Sequence, residues 1–452
     1  MIVRAHDQIT KQIALKLNSL NEIVGQKKSI LENIFLRLGL NILLLLLLFV
    51  LYFYIIKYKN YLWRESEKLL MIEIVMLIFL YLASLLFKLE HIFLFLIPLS
   101  FLAMVFTMLF GEIFSMVICF VLASILAIFT GMRFPVFIFL MVSSIAGIFS
   151  VKGINRRAKL YKALFIISVT NMLLVFGIES FSRTPIFSIL MGTSFGFINA
   201  VVSVFLLVGL LPLFEKFTET TTDITLFEWS DLNLPLLKKL SVTAPGTYNH
   251  SIIVGNLAEA AAESIGVDSI LTRVASYYHD IGKMLKSEYF IENQMGIKNP
   301  HNKLTPQLSC IILISHVKEG IEIAQRAGLP NEIIKIIREH HGSSLIVPFF
   351  EKAKKQNHKE KVDESQFRYP GPSPSTKESG IVMLADSVEA ASRSLEEPNA
   401  KRLKSLINEI IEERFRDGQL NNSQLTLVDL KKIGESFLPI LVGMYHLRVE
   451  YP

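Results

Sequence analysis

Hydrophobic and polar positions divide this chain into two unlike stretches. From residue 34 to 214, Leu, Ile, Phe, Val and Met dominate in seven long runs separated by short polar joints. The runs are Leu38–Ile56, Leu69–Phe87, His91–Phe110, Ile113–Thr130, Phe134–Val151, Leu160–Ile178 and Ile186–Phe214. Most come near the ~20 residues that cross ~30 Å of hydrocarbon as a helix. Seven transmembrane helices are therefore expected over 34–214, the last with length to spare for tilt or extension. The first run begins too late, and has too many successors, for a cleaved signal peptide.

After residue 214 the pattern turns helical and amphipathic, with ordinary charge density. Residues 215–245 read as a linker. Its Thr run and Asp223 suit caps and turns, and Leu232, Leu234, Leu236, Leu237 and Leu240 suit a short packing segment. Beyond it, "NHSIIVGNLAEAAAESIG" ends on a Gly after an Ala-rich face, a helix stop. "PNEIIKIIREHHG" and "ESGIVMLADSVEAASRSL" are further helices, and strand patterns are absent. One loop rich in Lys, Pro and Gly is expected from about Glu351 to Lys377. The fold class is all-α: a seven-helix transmembrane bundle, then an all-helical domain. The stretch after Asn399, "AKRLKSLINEIIEERFRDGQL", is amphipathic with i,i+4 charge pairs. Its apolar face fits the preceding domain or a second subunit, so a homodimer stays open.

Charge orients the membrane half. The first joint carries Lys57, Lys59, Arg64 and Lys68, and the fifth Lys152, Arg156, Arg157, Lys159 and Lys162. The even joints carry little beyond Lys88, Arg133 and Arg183. Basic loops stay in the cytoplasm, which puts the N-terminus outside and the C-terminal half inside. The N-terminal basic residues Arg4, Lys11, Lys16, Lys27, Lys28 and Arg37 argue the other way, but the alternating loops agree with one another. In a chain that faces a lipid bilayer, a formal charge of +6 implies no nucleic-acid polymer as partner. Glu73 is the one strong charge expected inside a span, and this speaks against an ion-coupled transporter. Asn171 and Asn199 are the polar residues that weigh for one. Cys119 sits in an apolar run and Cys310 in the polar half, so no disulfide is expected and the polar half suits a reducing compartment.

Candidate chemistry is concentrated in the second half, which holds eight of the ten histidines. His250, the adjacent His279 and Asp280, His316, His340 with His341, and Asp386 lie on five separate helical stretches. Imidazole and carboxylate suit Fe, Mn or Zn, and no cysteine competes. The pair His279-Asp280 falls in "YYHDIGK", inside an apolar helical segment. Adjacent residues on a helix point apart, but they can splay around one ion or let the Asp join two. Seven candidates are too many for one ion with an open position and suit two ions that share Asp280. Two-metal sites serve phosphoester hydrolysis. The bland alternative is a set of unrelated residues: satisfied core histidines, helix-end partners at His340-His341 before Gly342, and surface charges at Asp386 and Lys283.

These residues resemble the H…HD…D signature of the HD phosphohydrolase superfamily, with His316, His340 and His341 matching its two-metal members. "LSVTAPGTYNHSIIVGNLAEAAAESIG", "YYHDIGKM", "FIENQ", "NPHNKLTP", "ISHVKEG", "REHHG", "FRYPGPSPSTKESGIVMLADSVEAASRSL" and "DGQLNNSQLTLVDLKKIGESF" narrow it further. They look like the cytoplasmic domain of the seven-transmembrane HD proteins, the membrane-bound cyclic-di-AMP phosphodiesterases of bacteria. The resemblance covers most of 34–452. It implies one ion on His250, His279, Asp280 and Asp386 and a second on His316, His340 and His341, with Asp280 shared. It implies iron or manganese, opening of cyclic di-AMP to pApA, and a place in the bacterial cytoplasmic membrane with the HD domain inside. Asp280 and Lys283 are then the catalytic expectation. Lys283 could meet phosphate as a point charge. Arg368 and Tyr369 are candidates for phosphate and adenine contacts, against a plain rigid loop.

The expected domains are 1–33, a remnant of the family's extracellular module, then 34–214, 215–245, an HD domain at 246–400 and a helical extension at 401–452. "MIVRAHDQITKQIALKLNSLN" looks like the last turns of that outer module, as in a short form, a truncated frame or one half of a split protein. Asn249 and Asn302 stand where the family usually has His and Asp, which suggests tuning from beside the site. The rival readings are another cyclic dinucleotide, a nucleotide-binding membrane receptor, and a transporter with a regulatory domain. The GYP motif of the cyclic-di-GMP branch is absent, and "YPGP" occurs instead.

Overall fold

The computed structural model describes residues 10–26, 30–87, 91–154, 159–294, 298–356 and 362–445. Of the residues named above, Arg4, Lys27, Lys28, Lys88, Arg156 and Arg157 lie outside these. The chain divides into two compact units: Met1–Gly153 with Leu160–Thr218, and Ile154–Lys159 with Glu219–Pro452. Helices make up both, and among the described residues the only β pairing is an isolated bridge between Leu345 and Arg368.

Among the described residues of the first unit, seven helices are long and apolar enough to cross a membrane. They are Glu32–Tyr58, Ser66–Leu86, Phe93–Phe110, Glu112–Phe129, Phe134–Val151, Leu160–Phe181 and Ile186–Thr218. The third differs from the expected unbroken run. A 3-10 turn over His91–Leu96 gives way at Pro98 to an α-helix over Leu99–Phe110. Proline has no N–H to continue the ladder, so carbonyls before it lose their partners. In hydrocarbon such groups must be satisfied within the protein. Asn199, fully buried on the seventh span, does this: its Nδ2 donates to Phe95 O at 2.9 Å and Ile97 O at 2.8 Å. Asn171 Nδ2 in turn donates to Asn199 Oδ1 and Gly196 O, both at 3.3 Å. Gly196 permits this approach, since a Cβ there would come within 3.0 Å of Asn171 O. Asn171 and Asn199 thus tie helices together. Glu73 lies exposed, and a second carboxylate, Glu179, is buried at the end of the sixth span, one residue past its expected limit.

The second unit begins with two short helices, Asp223–Trp229 and Pro235–Thr243, where a linker was expected. Leu226, Leu237 and Leu240 bury themselves in the main core, and Tyr278 donates a 2.7 Å bond to Trp229 O. The core gathers apolar stripes at helical spacing: Val254, Leu257, Ala258 and Ala261, then Ile333 and Ile337, then Ile381, Leu384 and Val388. Each buried Ile or Leu contributes roughly 1.5–3 kcal/mol relative to exposure. The helices Ala400–Arg416 and Leu427–Tyr445 join the same core through Leu403, Ile407, Ile433 and Phe437. The C-terminal extension therefore packs on its own domain. The expected loop at 351–377 is partly ordered: Val347–Gln356 is an α-helix and Glu364–Phe367 a 3-10 turn, held by Phe350, Ala353 and Phe367 around Cys310. Cys119 and Cys310 are both free and buried.

Candidate metal centre

Four helices and one break in a helix bring the candidates together. His250 lies on Pro245–Ile265, which starts with proline in its first turn, and Asp386 on Lys377–Ser392, opened by a capping box of Thr376 and Ser379. His316 is on Pro306–Ala327, capped by Thr305 through Leu308 N. His340 caps the C-terminus of Asn331–Glu339, and Gly342, at φ +53°, turns the chain just after His341. The helix Ser269–Tyr278 ends at His279 instead of running through it. Asp280 takes φ −111°, ψ 15°, and a 3-10 turn starts at Ile281. The expected continuous helix is broken here, and the break lets two adjacent side chains reach one centre. Gly282 holds the turn in place: a Cβ there would run into the backbone of His316 and Gly320. Only glycine lets the turn lie this close to the His316 helix.

The result is two groups that share one residue. His250, His279, Asp280 and Asp386 form the first, and Asp280, His316, His340 and His341 the second. In each, the candidate ligand atoms lie within 4.8 Å of one another. The shared carboxylate faces both ways. Asp280 Oδ2 is 3.2 Å from His279 Nε2 and 3.5 Å from His250 Nε2, and Oδ1 is 3.3 Å from His316 Nε2 and 3.7 Å from His340 Nε2. Asp386 Oδ1 stands 3.1 Å from His250 Nε2, and its Oδ2 3.5 Å from His341 Nδ1.

The outward nitrogens fix the imidazoles. Nδ1 of His279, His316 and His340 faces the carbonyl three residues earlier, at Ser276, Leu313 and Ile337, at 2.7, 2.5 and 2.8 Å. Nδ1 of His250 faces Glu389 Oε2 at 2.5 Å. A carbonyl or carboxylate there accepts a hydrogen bond from Nδ1–H and so leaves the Nε2 lone pair turned inward, the arrangement of a metal ligand. Three atoms at the centre, His279 Nε2 and both Asp280 oxygens, are buried with no hydrogen-bond partner in bonding geometry, though charges lie close by. Buried groups of this kind are rarely left unmatched. The donor set and these atoms fit divalent ions.

Burial alone would raise the Asp280 carboxyl, but His279 and Lys283 hold it well below the usual range. Asp386 is likewise well below, because bonds to His250 and His279 outweigh burial. Burial pulls the His279 imidazolium down, yet Asp280 and Asp386 push it up to about 10. In the second group burial wins: His340 is lowered, and His341 well below its ordinary value with His340 beside it. Without ions, then, His279 holds a proton while His340 and His341 offer neutral imidazoles.

Lys283 Nζ lies 2.7 Å from Asp280 Oδ2 and donates to Glu292 Oε1 at 2.9 Å. Glu292 also accepts from Thr247 Oγ1 at 3.0 Å, and Asn293 Oδ1 from Thr247 N at 3.1 Å. Tyr369 stacks on His341, centroids 4.3 Å apart. Arg368 is committed elsewhere: it binds both Asp417 oxygens at 3.1 and 2.9 Å, Ser343 O at 2.8 Å and Glu364 at 2.8 Å. The candidate phosphate contact at Arg368 is thus already paired with protein groups. Asn249 and Asn302 are exposed. Sequence reasoning missed Glu292 and Glu389. "FIENQ" and "DSVEAASR" carry both, and the i,i+3 step from Asp386 to Glu389 was the available signal.

Residues 34–222 match the family described as 7TM receptor with intracellular HD hydrolase, and residues 247–391 match the HD domain. The chain belongs to this seven-transmembrane HD hydrolase family. It is 34% identical over 470 residues to the cyclic-di-AMP phosphodiesterase PgpH of Bacillus subtilis (strain 168), covering 100% of this chain and 64% of that protein. It is 38% identical over 362 residues to the protein of the same name from Listeria monocytogenes serotype 1/2a (strain 10403S), covering 79% and 50%. The chain thus spans between half and two thirds of the length of these relatives. A crystal structure of the L. monocytogenes PgpH HD domain is 47% identical, covers 47% of this chain and 100% of that one, and superposes with a TM-score of 0.45. Members of the family are multi-pass membrane proteins, and the seven apolar helices agree.

Proposed function

We propose that this chain is a phosphodiesterase of the bacterial cytoplasmic membrane that hydrolyses cyclic di-AMP to pApA, with its HD domain in the cytoplasm. The observation that carries the reading is the pair of His/Asp groups meeting at Asp280, with three buried atoms at the centre that make no hydrogen bond in bonding geometry. The names of the relatives supply the substrate. His250, His279, Asp280 and Asp386 would hold one divalent ion and Asp280, His316, His340 and His341 the other; the donor type suits Fe, Mn or Zn, and the family resemblance favours iron or manganese. When bound, such a pair of ions polarises a phosphoryl oxygen and acidifies water.

The chain's own residues do the rest. In the reaction water adds to phosphorus, the bond to the 3′ oxygen breaks, and that oxygen takes a proton, leaving a 5′-phosphate on the linear dinucleotide. Burial would lower the Lys283 ammonium, but Asp280 and Glu292 raise it far above its ordinary value. It therefore stays charged at every working pH and acts as a fixed cation beside the phosphoryl oxygens, with no part in proton transfer. Glu292 and Thr247 set its position. Tyr369, against His341, walls the site where a base would sit.

The test loads the full chain in detergent with Mn²⁺ or Fe²⁺ under anaerobic conditions and supplies cyclic di-AMP and cyclic di-GMP side by side. Chromatography should show pApA from the first, absent with Asp280→Ala. Turnover of cyclic di-GMP alone would reassign the substrate within the same chemistry. Two ions bound and neither nucleotide opened would remove the substrate assignment.

A further inference from the structure

His250 differs from the other histidines of the centre. His279, His316 and His340 lean on backbone carbonyls, which no substitution can remove. His250 leans on a side chain, Glu389. That carboxylate is fully buried, with both oxygens engaged: Oε2 to His250 Nδ1 at 2.5 Å, and Oε1 to Arg393 Nε at 2.7 Å and Nη2 at 2.5 Å. A buried carboxylate is costly unless paired, and Glu389 is paired at both oxygens. The three residues Asp386, Glu389 and Arg393 follow one another at i, i+3 and i+7 along one stripe of Lys377–Ser392 and its C-cap. The same stripe thus carries a candidate ligand, the group that orients another ligand, and the clamp on that group.

We infer that Glu389, clamped by Arg393, is a positioning residue that holds His250 with its Nε2 lone pair inward and so sets the affinity of the first group for its ion. This rests on the two-ion reading above. Its reach is selective: neither Glu389 nor Arg393 bonds to His316, His340 or His341 among the described residues. A neutral amide at 389 can still fill the space, but it weakens the charge behind the imidazole and can present an NH₂ to Nδ1, which favours the wrong tautomer. Loss of such outer partners lowers metal affinity by roughly 10–100-fold.

The experiment titrates Mn²⁺ into the metal-free full chain in detergent and follows free Mn²⁺ by electron paramagnetic resonance. Wild type, Glu389→Gln, Glu389→Asp and Arg393→Ala are compared, and thermal melting of each metal-free chain is recorded. The expected result is two ions in wild type, one of them weakened about 10–100-fold in Glu389→Gln with the other unchanged. Arg393→Ala should weaken the same ion by less, and Glu389→Asp should recover part of the loss. Arg393 is 37% exposed, so its truncation reads the clamp even where a change at 389 harms folding. Two unaltered affinities in folded Glu389→Gln and Arg393→Ala would overturn the inference and leave the two-ion site standing. Equal weakening of both ions would also overturn it, as a merely structural role would produce that. A wild type that binds no Mn²⁺ would overturn the site reading and this inference with it.

Discussion

The two units bury different kinds of polar side chain inside packed helices: neutral amides and hydroxyls in the first, convergent imidazoles and carboxylates in the second. In the membrane unit Asn199 meets the Phe95 and Ile97 carbonyls beside Pro98, Asn171 meets Asn199, and Ser100 bonds to Ser203 at 2.9 Å. The amide nitrogens of that network all donate within the protein, and Asn171 Oδ1 is its one atom without a hydrogen bond among the described residues. In the second unit Asp280 and His279 are just as buried, yet their inward atoms make no hydrogen bond in bonding geometry and face only neighbouring charges. Hydrogen bonds that close on themselves hold a fold together, and convergent charged groups left open reserve a place for a ligand. The contrast explains why polar residues in the spans need imply no transport path, while the histidines of the HD domain imply chemistry.

The strongest way to break the contrast is at its open end. Asp280→Ala removes the atom that both groups share, so turnover should fall by more than the ~100-fold typical of outer partners. Steady-state rates on cyclic di-AMP measure it, and a drop below tenfold would mean Asp280 is not shared. Next in size is the response to pH. Protonated His279 has no lone pair at Nε2, and its group lies raised to about 10, so an ion must displace that proton anywhere below this value. Affinity of the first group should climb as pH rises from 6 toward 9, roughly tenfold per unit for each proton displaced. His340 and His341 are lowered and already neutral, so the second group should load first in mild acid. Calorimetry in buffers of different ionisation enthalpy reads the released protons.

Smaller effects sharpen the comparison. Gly282→Ala puts a Cβ into the backbone of His316 and Gly320, and should destabilise the chain by about 1–3 kcal/mol while misplacing Asp280. Denaturant unfolding and Mn²⁺ stoichiometry together report both. Asn199→Leu should cost about 0.6–2 kcal/mol in detergent unfolding and leave Mn²⁺ affinity alone. A change in ion binding there would show that the closed network is more than scaffold. Arg368→Ala should cost about 1 kcal/mol or less, since its ion pairs are partly exposed. A rise in KM with stability unchanged would restore Arg368 as a substrate contact.

How much of this was legible in the sequence varies with the range of the interaction. The seven spans were visible because hydrocarbon thickness fixes their length, and the all-helical second unit because its apolar stripes repeat at helical spacing. The metal-ligand candidates were visible as residue types whose collection needs a reason. What the sequence hid depends on three-dimensional approach. Pro98 sits in the middle of an apolar run, and only the distant Asn199 makes the break there tolerable. Periodicity carried a helix through "YYHDIGK", but the contact of Gly282 with His316 requires a break at Asp280. The pairing of Arg368, a candidate phosphate contact, was hidden because Asp417, 49 positions on, could not be seen to face it. Glu389 was hidden for the same reason: its partner His250 lies 139 positions away.

The central claim is that two ions meet at one carboxylate. The most direct measurement is the low-temperature electron paramagnetic resonance spectrum of the full chain carrying two Mn²⁺. The account predicts the broad signal of two exchange-coupled ions, lost in Asp280→Ala. Two bound ions giving only the six-line pattern of isolated Mn²⁺ would contradict it, because the groups would then be neighbours without a shared ligand.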